Sequence, residues 1–236
     1  MQFEEIKFNN KKYKIKLRDL VDKSVLAEIF TEREYRVAEQ IIKVAKDPIL
    51  DVGAHVGFFI LYCRAINESV RIYGLEPEPE NFQMLAQNLK TNKIKEVKIF
   101  QQALALSSGY REFYLAEDNH NHSLLALSLK KIKQVISAQT VNFSEFCQNN
   151  KIERLSLVKM DIEGGEYEIL EKLPESDWQK IEAIILEYHD FKNDFNDLNH
   201  KQLEQILRQN SFSVEIFPSH FQNNLGFILA RNKKIK

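Results

Sequence analysis

The stretch Ile49–Gly57 reads I-L-D-V-G-A-H-V-G. A short apolar run ends at Asp51, and Gly53 and Gly57 follow it closely. A second apolar run ends in Glu76, 23 residues after Gly53. This pattern predicts a strand, a glycine-hinged turn, a helix and a second strand with a carboxylate at its end. In a parallel sheet such a unit forms a nucleoside pocket, because glycines let a ligand approach the backbone and an acid can bind ribose hydroxyls.

The turn departs from the known phosphate-binding glycine patterns. The fingerprint G-x-G-x-x-G uses its second glycine to admit a pyrophosphate, and here that position is His55, while the third is Phe58. The pattern G-x-x-x-x-G-K-[ST] is absent, which excludes a phosphate-cradling P-loop. D-V-G-A-H-V-G is instead similar to the first motif of the Rossmann-like S-adenosylmethionine (SAM) methyltransferases, whose ligand has no phosphate. By itself the motif also fits an ordinary turn between a strand and a helix.

The composition is typical of one globular unit. The 236 residues are 44% hydrophobic and 28% charged, which excludes a disordered chain. With 33 basic and 34 acidic residues, the charge gives no sign of a nucleic acid or membrane partner. No apolar run approaches the ~20 residues of a membrane span, and the N-terminus is unlike a signal peptide, so we expect a cytoplasmic protein. Cys63 and Cys147 lack metal-type spacing and are expected to be buried free thiols.

Two parts are predicted along the chain. Residues 1–46 should form a hairpin over Phe3–Leu17 and a helix over Asp22–Lys46 that pack on the core. Residues 47–236 should form the main domain, since Asp47-Pro48 breaks the helix before the first core strand. Its later strands are predicted at Val70–Leu75, Val97–Leu106, Tyr110–Leu115, Val135–Ser137, Leu155–Met160, Ile181–Leu186, Phe212–Phe217 and Gly226–Arg231. Its later helices are predicted at Glu80–Lys90, at Asn142–Gln148, after Gly164-Gly165 and at Leu198–Gln209.

The alternation of strands and helices predicts the fold class. It indicates an α/β protein with a mostly parallel central sheet and helices on both faces. Only a loop joins the last two strands, which predicts one antiparallel strand near the C-terminus.

Four predicted strands each end in an acid, namely Asp51, Glu76, Asp161 and Glu187. In a parallel sheet these ends lie on one edge, where ligands bind in doubly wound folds. Chance explains any single acid, since carboxylates often end strands or cap helices. Four at the same edge indicate a binding site.

A third motif, Lys159–Leu170, reads K-M-D-I-E-G-G-E-Y-E-I-L. With the first motif and the E-Y-H that closes at His189, this block resembles the FkbM family of SAM-dependent methyltransferases. The resemblance runs from about Ile49 to His189, and the order and spacing of its motifs carry it. The remaining motifs are E-P-x-P-x-N-F from Glu76 to Phe82, A-L-A-L-S-S-G from Ala103 to Gly109, and N-H-S-L from Asn121 to Leu124.

The resemblance implies a Rossmann-like class I methyltransferase fold, with SAM as cofactor and a hydroxyl oxygen on a sugar or secondary metabolite as acceptor. Glu76 is expected to bind both ribose hydroxyls, since one carboxylate offers two acceptor oxygens. Gln102 and Ala103 are expected beside the adenine, although Gln102 fits a simple loop residue equally well. The residues expected along the methionine and ribose portion are Asp51, Gly53, Ala54, His55 and Gly57.

The candidate catalytic residues are Asp161, Glu163, Glu187 and His189. A carboxylate against the sulfonium would stabilise the ground state more than the transition state. Asp161 is therefore expected to hold the amino group of the methionine moiety or to orient the acceptor. His189 is the natural base for the hydroxyl proton, although a lone histidine is often structural. Glu163 is included because it is near the strand end.

Acceptor contacts and a metal are less well defined by the sequence. His122 and Ser123 are candidate acceptor-binding residues, and substrate choice is expected to depend on the loops Glu117–Leu127 and Asp190–Leu198. The acceptor is expected to be a small molecule or a glycan. Asp161, Glu187 and His189 could hold a divalent cation such as Mg²⁺, but no ligand spacing requires one, so a metal is not favoured.

Three other functions compete with this interpretation. An NAD-dependent oxidoreductase is disfavoured by the missing glycines, and a non-catalytic SAM-binding protein would keep the fold without the chemistry. The third is a nucleic acid amino-methyltransferase. Enzymes of that class resemble one another in a D/N-P-P-Y/F block after the fourth strand. Here Asp161-Ile162-Glu163-Gly164 takes that place, and the near-neutral charge gives no footprint for phosphates, which excludes this class.

Overall fold

The N-terminal segment begins with a β-hairpin. The structure, a computed structural model, describes residues 2–116, 122–125, 131–190, 199–219 and 224–235. Strand β1 (Gln2–Phe8) pairs antiparallel with β2 (Lys11–Leu17), and Asn9 and Asn10 take left-handed conformations in the turn. The predicted hairpin is confirmed.

The helical stretch after the hairpin is broken, so the single helix predicted over Asp22–Lys46 is wrong. It consists of α1 (Leu20–Ala27), a π-helical turn (Glu28–Glu32), a 3₁₀ turn (Glu34–Ala38) and α2 (Glu39–Val44). Arg33 interrupts it with a left-handed φ of +58°, which regular helical spacing does not reveal. The break lets Tyr35 enter the core, where its ring centroid lies 4.7 Å from that of Phe59.

The rest of the described chain alternates strands and helices. Its strands are β3 (Ile49–Val52), β4 (Ile72–Leu75), β5 (Val97–Phe100), β6 (Ala103–Leu104), β7 (Gly109–Ala116), β8 (Ile132–Val141), β9 (Leu157–Met160), β10 (Ala183–His189), β11 (Phe212–Pro218) and β12 (Leu225–Asn232). Its helices are α3 (Phe58–Ile66), α4 (Pro79–Thr91), α5 (Phe143–Asn149), α6 (Gly165–Lys172), α7 (Glu175–Trp178) and α8 (His200–Gln209).

Seven strands form the central sheet, in the order β11-β12-β10-β9-β3-β4-β5. Strands β10, β9, β3, β4 and β5 pair in parallel, so their carboxyl ends share one edge. Strand β12 runs antiparallel to both of its neighbours. The predicted fold, a mostly parallel sheet with one antiparallel strand near the C-terminus, is confirmed.

Helices cover both faces of this sheet. Ile49 and Ile72 pack in a core with residues of helices α1 to α4. Their sequence neighbours Leu50 and Tyr73 face the other way and pack with residues of α5 to α8. Successive side chains of a strand point to opposite faces, which is why continuous apolar runs such as I-L-D-V suit strands buried on both sides.

A second sheet begins where one strand was predicted over Val97–Leu106. That prediction is wrong, because β5 ends at Phe100 and β6 pairs with β8 in a separate sheet of order β6-β8-β7. The chain bends at Gln101, and Gln102 lines the cleft described below. Leaving the central sheet at this edge is what places Gln102 beside the ligand-binding end of the strands.

Both thiols are buried and unpaired with each other, as predicted for Cys63 and Cys147. Within the described ranges, no helix combines the length and the apolar character that crossing a bilayer requires. The predicted acceptor loops Glu117–Leu127 and Asp190–Leu198 fall largely outside the described residues, as does the start of the helix predicted from Leu198.

Candidate active site

A cleft of about 810 Å³ opens at the carboxyl edge of the central sheet. It lies over the ends of β3, β4, β9 and β10, the edge at which ligands bind in such folds. Of the predicted site residues, all of which the structure describes, Asp51, Gly57 and Ser123 do not line it. The predicted residues that line it are Gly53, Ala54, His55, Glu76, Gln102, Ala103, His122, Asp161, Glu163, Glu187 and His189.

The glycine turn packs against the neighbouring strand end. The backbone N–H groups of Gly53 and Ala54 both donate to the carbonyl of Leu75, at 3.0 and 2.9 Å. Gly53 has a φ of +78°, and a Cβ atom there would lie 2.0 Å from the carbonyl oxygen of Asp161. Both observations require glycine, because other residues are strained at this φ and no atom fits in that space. The turn is thus held between β4 and β9.

Glu76 lies at the end of β4 with its carboxylate buried and hydrogen-bonded. Its side chain accepts from the backbone N–H groups of His55 at 2.8 Å and Glu78 at 2.9 Å, and from the amide of Asn81 at 3.5 Å. Burial nevertheless raises the pKa of Glu76 to about 7, although the backbone hydrogen bonds lower it. The cleft therefore holds a carboxyl group whose orientation is fixed by the backbone and which changes charge near neutral pH.

Lys159, which sequence reasoning missed, connects the ends of β3 and β9. Its ammonium donates to the carbonyl of Gly53 at 2.8 Å and lies 3.3 Å from the carboxylate of Asp51 and 3.5 Å from that of Asp161. Burial lowers the pKa of Lys159, but nearby carboxylates raise it more, so the net direction is upward. Burial raises the pKa of Asp51 to about 6, with Lys159 opposing. A lysine within the apolar run L-V-K-M was the available signal.

Strand β10 continues to His189, beyond the end predicted at Leu186. Glu187 and His189 are therefore strand residues, and their spacing of two places both side chains on one face. His189 Nε2 lies 3.6 Å from a carboxylate oxygen of Glu163. Burial raises the pKa of Glu187 well above its ordinary value of 4.5, and the carboxylates of Asp161, Glu163 and Glu34 raise it further.

Glu34 comes to the cleft from the N-terminal segment and was also missed. Burial raises its pKa to about 7, with further contributions from the charges of Glu28, Glu32 and Asp161. Glu28 and Glu32 line the same cleft. The break at Arg33 brings this segment to the part of the cleft lined by Asp161, Glu163, Glu187 and His189, called the β9–β10 half below. A continuous helix was expected here.

The two predicted acceptor residues occupy different positions. Ser123 is buried, and its hydroxyl donates to the carbonyl of Glu163 at 3.0 Å. His122 lines the cleft, and its Nδ1 accepts from the backbone N–H of Ala116 at 3.0 Å. Ser123 thus holds the turn at Glu163 in place, and its predicted role toward the acceptor stays a prediction.

Glu166, near the start of α6, supports the turn that precedes this helix. The carboxylate of Glu166 accepts from the backbone N–H groups of Ile162 at 2.7 Å and Gly164 at 2.8 Å, so it braces the turn that leads into α6. Among the residues that the structure describes, no three His, Cys, Asp or Glu side chains are grouped as ligands of a metal ion.

Two solved structures share this fold, and both are methyltransferases. The magnesium protoporphyrin IX methyltransferase of Synechocystis PCC 6803 is 11% identical, with a TM-score of 0.52 over 92% of this chain and 86% of that one. An rRNA methylase from Streptococcus thermophilus is 10% identical, with a TM-score of 0.51 over 85% of this chain and 96% of that one. At such identities the likeness establishes the Rossmann-like fold.

Curated relatives are similar over most of their length. The 31-O-demethyl-FK506 methyltransferase FkbM of Streptomyces tacrolimicus is 23% identical over 79% of this chain and 80% of that protein. The hexuronic acid methyltransferase AglP of Haloferax volcanii is 22% identical over 87% of this chain and 82% of that protein. The family model described as methyltransferase FkbM domain matches residues 51–214. This match covers well over half of the sequence and confirms the predicted resemblance: the chain belongs to the FkbM family of methyltransferases.

Proposed function

We propose that this methyltransferase transfers the methyl group of SAM to a hydroxyl oxygen of a sugar or another small molecule. The observation that carries the proposal is that one cleft holds the backbone-braced carboxylate of Glu76 and the His189–Glu163 pair. The relatives support the acceptor class, since one is named for 31-O-demethyl-FK506 and another for hexuronic acid.

The residues on the β3–β4 half of the cleft fit an adenosyl cofactor. Glu76 already accepts two backbone N–H groups and the amide of Asn81, and a carboxylate has about four lone-pair sites, so a hydroxyl donor can still be accommodated. His55 occupies the position that a pyrophosphate-binding glycine would need, which suits a cofactor without phosphate. When bound, SAM supplies an electrophilic methyl group on a positively charged sulfur. Gly53, Ala54 and His55 would lie along its methionine and ribose portion, with Gln102 and Ala103 at the adenine.

The β9–β10 half of the cleft provides the proton acceptor. His189 would take the proton of the acceptor hydroxyl, and bound SAM would supply the methyl group that this oxygen receives. Glu163, 3.6 Å away, stabilises the resulting imidazolium, because a nearby carboxylate favours the protonated ring. Asp161 holds the amino group of the methionine moiety, with its own position set by Lys159. Alignment of the two reactants supplies most of the acceleration, up to about 7–11 kcal/mol in well-oriented systems.

Replacing His189 tests the assignment of the base. His189→Gln keeps a polar side chain of similar size without a group that takes up a proton. We expect kcat to fall by about 10²- to 10⁴-fold, the usual contribution of general base catalysis, with the Kd for SAM changed less than about threefold. Turnover is measured with radiolabelled SAM and a panel of hexuronic acids, neutral glycosides and macrolide alcohols.

The matched control is His200→Gln, which also removes a histidine from a carboxylate pair, since His200 Nδ1 lies 2.8 Å from Asp190. It should leave kcat unchanged, because His200 does not line the cleft. An unchanged kcat in His189→Gln would contradict the base assignment. Equal rates are expected in Mg²⁺ and in EDTA, because His189 takes up the proton. Binding of NAD⁺ instead of SAM would contradict the proposed function itself.

A further inference from the structure

Arg18 connects the N-terminal hairpin to the cofactor half of the cleft. It directly follows β2 and lies outside residues 51–214, the part matched by the family model. Its side chain is only 10% exposed. The guanidinium group contacts three other side chains, those of Asp22, His55 and Asn81. Asn81 also contacts Glu76 through its side-chain amide, and His55 does so through its backbone N–H.

Asp22 fixes the plane of the guanidinium group. Its two carboxylate oxygens accept from Arg18 Nε at 3.0 Å and from Nη2 at 2.7 Å, and one of them also accepts from the backbone N–H of Arg18 at 2.7 Å. The Asp22 side chain is fully buried. Bidentate pairs of this kind restrict orientation as well as distance, so Arg18 presents its remaining donors in fixed directions.

One of these donors determines how the amide of Asn81 is oriented. Arg18 Nη1 donates to Asn81 Oδ1 at 2.6 Å. Since the amide oxygen faces Arg18, the amide nitrogen is turned to the other side, where it lies 3.5 Å from a carboxylate oxygen of Glu76. The reversed amide would place its NH₂ group against the guanidinium and its oxygen against the carboxylate, which is unfavourable on both sides.

Another donor determines the tautomer of His55. Arg18 Nη2 lies 2.9 Å from His55 Nε2. A guanidinium group has donors and no acceptor, so Nε2 must be the unprotonated, accepting nitrogen and the proton of the neutral ring must be on Nδ1. A proton on Nε2 would point at an N–H group of Arg18. In the doubly protonated ring, two positive charges would also face each other. Asp22 lies 3.7 Å from Nε2, but its oxygens already accept from Arg18.

We propose that Arg18 is a positioning residue for the cofactor site, which fixes the tautomer of His55 and orients the carboxylate of Glu76 through the amide of Asn81. The inference rests on the proposed function, in which Glu76 binds the ribose of SAM. It gives the N-terminal segment a role in cofactor binding, although that segment lies outside the matched family domain. The residue that follows the N-terminal hairpin is then part of the cofactor site.

Calorimetric titration of Arg18→Met and Arg18→Lys with SAM and S-adenosylhomocysteine tests this role. Both variants should raise Kd by about 10- to 100-fold, as is typical when partners that orient ligating groups are removed. Lysine should not restore binding, because one ammonium cannot make the same fork of contacts. In the Glu76→Gln background, Arg18→Met should change Kd by less than about threefold, since a residue that acts through Glu76 is non-additive with it.

The control is Arg208→Met, which likewise removes an arginine from an ion pair between residues four apart, here with Glu204, away from the cleft. It should leave Kd within about twofold. If the wild type binds SAM and Arg18→Met binds it as tightly, the role of Arg18 is overturned while the proposed function stands. If the wild type binds neither adenosyl ligand, the proposed function fails.

A spectrum of the wild type provides a test that does not depend on how a variant folds. Two-dimensional ¹⁵N–¹H correlation of the imidazole nitrogens should show His55 unprotonated at Nε2 and protonated at Nδ1. A proton on Nε2 would overturn the inference even if Arg18→Met does not fold. In folded Arg18→Met the preference for one tautomer should be lost, which a purely structural role would not require.

Discussion

The two halves of the cleft surround a buried carboxylate with opposite kinds of neighbours. In the β3–β4 half, Glu76 accepts from two backbone N–H groups and one side-chain amide. In the β9–β10 half, Glu187 is surrounded by the charges of Asp161, Glu163 and Glu34, which raise its pKa beyond the effect of burial. Backbone hydrogen bonds stabilise the charged form of Glu76, whereas neighbouring carboxylates destabilise the charged form of Glu187.

The difference indicates how each half functions. Backbone donors hold Glu76 in position before any ligand arrives, so little reorganisation is needed on binding. Crowded carboxylates cost folding stability, and groups with such perturbed pKa values are typical of functional sites. We therefore expect substitutions in the β3–β4 half to weaken cofactor binding and substitutions in the β9–β10 half to change stability and turnover.

The largest effect is expected from Gly53→Ala. A Cβ atom at position 53 would lie 2.0 Å from the carbonyl oxygen of Asp161, so the turn must move away from β9. We expect SAM binding to become undetectable by calorimetry. The control is Gly109→Ala, because Gly109 also has a positive φ, of +145°, but has nothing within 4 Å of an added Cβ. It should cost about 1–3 kcal/mol of unfolding free energy in urea titrations and leave SAM binding intact. Normal binding in Gly53→Ala would contradict the close packing of the turn.

Glu76→Gln directly compares the two halves. An amide nitrogen would replace one carboxylate oxygen and face a backbone N–H that now has an acceptor. Loss of charged hydrogen bonds worth about 1.5–3 kcal/mol corresponds to a Kd for SAM raised by roughly 10- to 100-fold in calorimetry. Glu187→Gln, the matched change in the other half, should alter Kd by less than about threefold. Equal losses in both variants would show that the halves are not divided in this way.

Much of the fold and of the cofactor half follows from local sequence. Alternating strands and helices give the parallel sheet, and the acids Asp51, Glu76, Asp161 and Glu187 all lie at its carboxyl edge. Apolar runs, glycine turns and acids at strand ends act over a few residues, so their consequences can be derived from the chain itself.

The parts of the site that could not be predicted from the sequence depend on contacts between distant residues. Arg18 lies 37 residues from His55 and 63 from Asn81, and nothing in the residues after the hairpin indicates where the guanidinium group will be placed. Glu34 reaches the cleft only because Arg33 adopts a left-handed conformation, which a helical pattern does not predict. Lys159 differs, since its charge inside an apolar strand was visible, but its partners Asp51 and Gly53 lie at the end of the neighbouring strand β3.

A smaller effect is expected from pH on the cofactor half. Glu76 has a pKa of about 7 in the folded protein, and hydroxyl donors favour its ionised form. SAM affinity should therefore rise as pH increases through 7, by up to tenfold per unit below it. The stability of the fold changes with pH in the opposite direction. Because the pKa of Glu76 is raised on folding, its protonated form stabilises the folded protein. This contribution is full below about pH 4.5 and is lost as pH rises through 7. Calorimetry at pH 6, 7 and 8 measures the slope. Glu76→Gln should remove it, and a slope that survives would assign the effect to another group.

The smallest effect is expected in the stability of Glu187→Gln. Because burial and neighbouring carboxylates raise the pKa of Glu187, the wild-type residue contributes stability below its ordinary pKa of 4.5 and progressively loses it as pH rises. A neutral amide avoids that loss. The variant should therefore be more stable than the wild type at pH 8, by about 0.5–2 kcal/mol in urea unfolding, and the difference should shrink toward pH 5. Glu171→Gln, which changes an exposed side chain, should show no such gain. A gain of equal size at both pH values would mean that the benefit comes from packing, and the crowding of charge in the β9–β10 half would then carry no cost.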